Sequence, residues 1–193
     1  MPFYDSASND LYHVVQWFLF YGMLGWIVES IYMSFCNKKL TNRGFMQGPF
    51  IPIYGFGALL AYFLLQRFVY SPVLLYFAGA IMATSFEYMT AVLMQIVFGE
   101  VWWDYHDKPF NYKGVLCLES SVAWGFYTVG FFYFVHPFMT GYLERIPYDL
   151  SLFVMRGLVV ILFMDFASCL YEEKKQTLSN TIEDVKETLR MIF

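Results

Sequence analysis

Four carboxylates stand inside long apolar stretches of the chain: Glu29, Glu87, Glu119 and Asp165. A charge at the centre of a bilayer costs on the order of 2.5–3.5 kcal/mol even on the lenient insertion scale. Carboxylates kept there must face a bundle interior or a wet cavity. With a rise of ~1.5 Å per residue, Glu29 lies roughly 10 Å from the basic end of its stretch, Glu87 about 16 Å and Glu119 about 8 Å. The three glutamates are therefore expected to converge in one half of a bundle. There they could hold a cation or a protonated amine, or relay a proton. The alternatives are a neutral carboxyl bonded to a Ser or Tyr of a neighbouring helix and, for Glu119, an ion pair with Arg43 or Lys113. Asp165 reads as structural, paired with a polar group such as Ser85 or Tyr88.

A second dense patch runs from Glu100 to Tyr112 and contains Trp102, Trp103, Asp104, Tyr105, His106, Asp107 and Asn111. Tryptophan and tyrosine belong at any membrane–water boundary. A belt does not require Asp104 between Trp103 and Tyr105, nor Asn111 just before Lys113-Gly114. Aromatic faces around a carboxylate can cage an amine; the other reading is a loop tied by Asx turns. His13, His106 and His136 are far apart, so no metal site is expected. Cys36, Cys117 and Cys169 show neither ligand nor disulfide spacing and read as packing residues. Neither a nucleophile constellation nor a glycine-rich phosphate loop can be read off, so no catalytic residue or cofactor is assigned.

The elements that position these residues follow from composition. Of 193 residues, 59% are hydrophobic, 22% aromatic and only 15% charged. Mean hydropathy is +0.48. A soluble domain would carry about 25% charged residues, and the apolar runs approach the ~20 residues that cross a bilayer. The expected fold is an all-α integral membrane protein with one transmembrane domain over residues 1–172. Its five transmembrane helices fall near 11–36, 50–70, 72–98, 114–135 and 150–171. Met1 to Asp10 has no Lys or Arg, so the first run is expected to be a retained span rather than a signal. Lys38, Lys39, Arg43, Lys108, Lys113, Lys174 and Lys175 flank one side, which sets the N-terminus outside a cell membrane and the C-terminus in the cytoplasm. Residues 173–193 are expected to form a short amphipathic helix, with Ile182, Val185, Leu189 and Ile192 at helical spacing. A net charge of −4 argues against nucleic acid as a partner.

Arg43-Gly44 is followed eleven residues after its glycine by Gly55, and Lys113-Gly114 at the same interval by Gly125. Each preceding run holds one mid-span glutamate, Glu29 or Glu87. Spans one–two and three–four thus read as two helical hairpins in a parallel repeat, followed by a fifth span. Repeats of this kind place ligands at their interface.

Tyr21-Gly22, Gly25-Trp26, Glu29, Arg43-Gly44-Phe45, Gly48-Pro49 and Pro52-Ile53-Tyr54-Gly55 resemble the CmpB-like family, which is labelled a type IV ABC-transporter permease. Glu87, Trp103-Asp104-Tyr105, Pro109-Phe110-Asn111, Gly114-Val115-Leu116-Cys117-Leu118 and Trp124-Gly125 resemble its second half. Glu119-Ser120-Ser121 departs from the pattern, which expects a less acidic segment there. The resemblance implies a transport or binding role and carries over Glu29, Glu87, Asp104 and Asn111.

The leading expectation is a small transporter component that binds a small, cationic solute near Glu29 and Glu87. Glu119, Trp103, Asp104, Asn111 and Arg43 complete the candidate ligand set. Membrane lipid, a separate ATPase or other membrane subunit, and a second copy of the chain are the expected partners. The alternatives are a membrane-embedded lipid-modifying enzyme with Glu87 and Asp104 as acid and base, and a non-catalytic scaffold or sensor.

Overall fold

Two of the helices open on a proline, whose missing N–H is no loss in a first turn and whose fixed φ suits it. They are α2, Pro52–Leu65, which continues as a 3-10 turn over Gln66–Phe68, and α3, Pro72–Phe98. The Ser71 hydroxyl caps α3 by accepting from the Leu74 N–H, and Gly99 closes it in the left-handed conformation that glycine adopts without penalty. The computed structural model describes residues 11–42 and 44–192, with side chains to residue 175. Before α2 stands α1, Leu11–Asn37. After α3 come a two-stranded hairpin, β1 Asn111–Tyr112 against β2 Leu116–Cys117, and then α4, Leu118–Gly130. A π-turn over Phe131–Val135 leads into α5, His136–Leu143, and α6 runs Tyr148–Ile192.

The protein is a helical membrane protein. Among the described residues three helices are long and apolar enough to cross a bilayer: Leu11–Asn37, Pro72–Phe98 and the part of α6 from Tyr148 to Lys175. Three expectations about the elements are corrected. The fourth apolar stretch does not start at Gly114, because Gly114 holds a positive φ of 69° inside the hairpin; helix begins only at Leu118. Nor does the helical run stop at residue 135, ahead of Pro137. Proline falls in the first turn of α5, after a π-turn that accommodates a missing backbone donor. The tail is not a separate helix, since α6 is continuous to Ile192. From Tyr171 to Ile192 the sequence contains neither glycine nor proline, so its change from apolar to charged alters the surroundings and leaves the backbone helical. The side-chain pattern expected at Ile182, Val185, Leu189 and Ile192 lies outside the described residues.

α1 packs against α2, and α3 against α4, far more extensively than any other pair. Between lipid-solvated helices close backbone approach does the work that apolar burial does in water. Gly55 of α2 lies against Phe18 of α1, where an added Cβ would come within 2.6 Å of the ring and 2.7 Å of the Phe18 carbonyl oxygen. Gly125 of α4 lies under the Tyr76 ring of α3, at 2.5 Å by the same measure. The central core joins the two pairs through Trp17, Tyr21, Ala61, Tyr62, Leu75 and Phe132. Among its polar members the Tyr21 hydroxyl meets His136 Nδ1 at 2.8 Å.

Gly55→Ala should lower the thermal midpoint of the detergent-purified protein by the equivalent of about 1–3 kcal/mol, because a backbone oxygen stands in the way. Gly157→Ala, where nothing lies within 4 Å, should leave the midpoint unchanged or raise it. Equal midpoints for Gly55→Ala and wild type would refute the close-approach argument.

Candidate functional site

Both long connections fold back along the helices they leave. After α1 ends at Asn37, Asn42 Oδ1 accepts from Trp26 Nε1 at 2.6 Å, and the Ile51 N–H donates to the Gly22 carbonyl at 3.1 Å. After α3 ends at Phe98, the Tyr105 hydroxyl reaches Glu87 Oε1 at 3.1 Å, a point about 16 Å back along the helix at ~1.5 Å per residue. The two connections touch one another where Phe45 stacks on Trp102, centroids 5.0 Å apart and planes 7° from parallel. Phe98 and Phe166 of α6 close around Phe45.

Glu87 is the buried carboxylate of the bundle, 7% exposed. Its Oε2 accepts from Trp124 Nε1 of α4 at 3.0 Å, and the Ser120 hydroxyl lies alongside. Among the described residues no cation pairs with it. Its donors are neutral, and together they occupy most of what two carboxylate oxygens can accept. Tyr105, held up by burial and by the neighbouring glutamate, remains a neutral donor at any physiological pH. It also lies within electrostatic reach of Glu29. Glu29 is half-buried and pairs with Tyr54, whose phenol lies within electrostatic reach of Tyr105 and Tyr127. The structure thus brings Glu29, Tyr54, Tyr105, Glu87 and Trp124 into one cluster between the two helix pairs.

Other predicted residues fall elsewhere. Glu119 does not join the interior; its side chain is 66% exposed, and Lys108 Nζ donates to its Oε2 at 2.8 Å. It sits in the first turn of α4, where a carboxylate complements the helix dipole and meets solvent rather than the bundle. The pair raises the lysine's pKa, and, open to solvent on both sides, it contributes little to stability. Asp104 is not caged by rings. Its exposed carboxylate accepts from the His106 N–H at 2.9 Å and contacts His106 Nδ1, which holds it below the usual carboxylate range. That support is present above about pH 4 and is lost as pH falls through the lowered value. Asp165 pairs with neither Ser85 nor Tyr88; its Oδ2 accepts from the Gly48 N–H at 2.8 Å, pinning α6 to the first connection. Arg43 lies outside the described residues.

Asn111 and Trp103 act on the second connection itself. Asn111 donates to the carbonyls of Lys108 at 2.9 Å and His106 at 3.1 Å, and accepts from the Gly114 N–H at 3.2 Å. Trp103 Nε1 donates to the Val115 carbonyl at 2.9 Å, and the Tyr105 N–H to the Gly114 carbonyl at 2.8 Å. At Gly114 a Cβ would fall 2.2 Å from the His106 ring. These contacts present Tyr105 to Glu87. Sequence reasoning did not single out Tyr54, Tyr105 or Trp124 as site residues. The available signal was the aromatic residue immediately before Gly55 and before Gly125.

Apolar helices enclosing a carboxylate–phenol–indole cluster define an integral membrane protein with a polar interior. The chain belongs to the CmpB family, described as "Putative ABC-transporter type IV", whose model matches residues 16–170. It is thus related to membrane transport components. No curated protein and no solved structure matches it.

Asn111→Ala removes three hydrogen bonds that cross the second connection. Proteolytic nicking between residues 99 and 117 should accelerate by on the order of tenfold or more, since each lost bond is worth about 1 kcal/mol. An unchanged cleavage rate would mean that the connection is held by other contacts.

Proposed function

We propose that the chain is a permease-like subunit of a small membrane transporter, with its solute site at the Glu29–Tyr54–Tyr105–Glu87–Trp124 cluster. The observation that carries this reading is Tyr105, a phenol of a folded-back connection that donates to Glu87 at 3.1 Å and lies within electrostatic reach of Glu29. Two carboxylates flanked by phenol and indole faces suit a small cation or protonated amine. A displaced Tyr105 would free an acceptor on Glu87 for it. In this reading the two shorter helical segments also cross the membrane. At ~1.5 Å per residue, α2 with its 3-10 turn covers about 25 Å and the run from α4 to α5 about 39 Å. In the same reading the lysine-bearing connections lie in the cytoplasm and the N-terminus outside.

Matched contacts support a parallel repeat. Phe18 on Gly55 answers to Tyr76 on Gly125, each ring eleven residues before its glutamate. Tyr54 on Glu29 answers to Trp124 on Glu87. Gly44 and Gly114 both hold positive φ, at 112° and 69°. The energy source in this reading is an ATPase on another chain, and a second copy completes the translocation path. Leu40 and Phe110, 99% and 82% exposed at the tips of the connections, offer the ATPase an apolar foothold.

A scaffold reading is favoured by one observation, the near-saturation of Glu87 by donors. Glu87→Gln separates the two. The amide sets its NH2 against a buried donor, so the variant should melt lower by about 1–3 kcal/mol in either case. A thermal-shift panel of inorganic cations and amines should stabilise the wild type with one class, and that shift should vanish in the variant. A wild type that no compound shifts, beside a variant that is merely less stable, would establish the scaffold.

A further inference from the structure

Thr84 Oγ1 is the buried side-chain polar atom without a hydrogen-bond partner among the described residues. Its neighbours on α3 behave otherwise. Ser85 donates to the Ile81 carbonyl at 2.7 Å and Thr90 to the Phe86 carbonyl at 2.9 Å, the usual way a helical hydroxyl is satisfied. Thr84 instead lines a lateral groove of about 390 Å³, together with Ser85, Tyr88 and Met89 of α3 and Tyr112 and Leu116 of the hairpin. The Tyr88 and Tyr112 rings lie 6.0 Å apart, and Lys113 Nζ stands 5.4 Å from the Tyr112 centroid. No carboxylate pairs with Lys113 among the described residues. A cation at the mouth and an unsatisfied hydroxyl below it ask for an anionic group attached to acceptor oxygens.

The surroundings say from which phase the occupant comes. On the hydrocarbon side, one turn before Ser85, stands exposed Ile81, an apolar side chain that water would not solvate. Counted from Pro72, about 20 residues carry α3 across the hydrocarbon. Tyr88 and Met89 therefore lie close to where the helix leaves it, at the level of glycerol and phosphate.

We infer that this groove binds one phospholipid of the surrounding membrane, its phosphate on Lys113, its ester oxygens on the hydroxyls of Tyr88 and Tyr112 and, once its side chain turns outward, of Thr84, and an acyl chain along Ile81. The site is separate from the glutamate cluster and stands whether or not the chain transports a solute.

Native mass spectrometry of the full chain, delipidated in detergent and titrated with phosphatidylglycerol, tests it. Wild type should retain a single lipid with saturable occupancy. Lys113→Gln should weaken retention about fivefold, the scale of one lysine at a lipid surface. Ser85→Trp, which fills the groove from an exposed position, should abolish it with an unchanged thermal midpoint. Lipid retained equally by both variants would overturn the assignment and mark the bound lipid as annular. Competition by inorganic phosphate would also overturn it, because the site would then belong to a soluble anion. Should Ser85→Trp fail to fold, Lys113→Gln decides alone.

Discussion

A carboxylate inside an apolar bundle must be met by donors, and in this chain the donors for Glu87 come from separate segments. The α4 indole of Trp124 meets one oxygen and the Tyr105 phenol of the connection meets the other. That single requirement draws α4 onto α3 and folds the connection back along the helix that it has just left. Much of the second half of the protein follows from it. Once Tyr105 is committed to Glu87, the chain must turn within a short distance, and Asn111, Trp103 and Gly114 are the residues that make so tight a return.

The helical, membrane-embedded character was legible because it is a property of composition, and composition survives any error in boundaries. Also legible were the glycines on which α1 meets α2 and α3 meets α4, Gly55 and Gly125. The limits of α4 and α6 were not. Hydropathy cannot see a hairpin made of apolar residues such as Val115 and Leu116, and it registers Lys174 and Lys175 as an end where the backbone continues. Among site residues, burial of Glu87 was readable from its depth in an apolar run. Exposure of Glu119 was not, because its run begins with a strand and the first turn of α4 faces Lys108. The role of Tyr105 was hidden for a further reason: in sequence it stands well past the end of α3, and only the fold-back brings it to mid-helix.

α6 is attached differently from the rest. Few of its described side chains are buried. Met155, with Leu152, Leu158 and Leu162 beside it, packs on Leu19, Met46 and Phe50, and its other ties to the bundle are polar or aromatic: Ser151 to Gln16 at 2.9 Å, Asp165 to the Gly48 N–H, Tyr148 against Tyr12 and Phe166 against Phe45. In hydrocarbon a helix gains nothing from hiding leucine from lipid, so such point contacts set its position. The Asp165 contact matters most, because it fixes α6 to the first connection rather than to a neighbouring helix. Any displacement of that connection is therefore felt by α6, and through Phe45 and Trp102 by the second connection as well.

The inferred repeat is informative where its halves differ. At matched positions, Glu29 is bonded by a phenol and Glu87 by an indole. Tyrosine can donate or accept, whereas tryptophan only donates. The Glu87 half is therefore locked in one polarity by Trp124, with Tyr105 as its adjustable partner, while Tyr54 gives Glu29 a partner that can donate or accept. If the cluster handles a proton or a cation, the asymmetry assigns the steps: Glu87 is the fixed anchor and Glu29 the adaptable face, with Tyr105 between them as the group whose movement changes what both carboxylates can hold. A scaffold needs no such division. A phenol at Tyr54 and a loop-borne phenol at Tyr105, each able to donate or accept, suit a site that changes state.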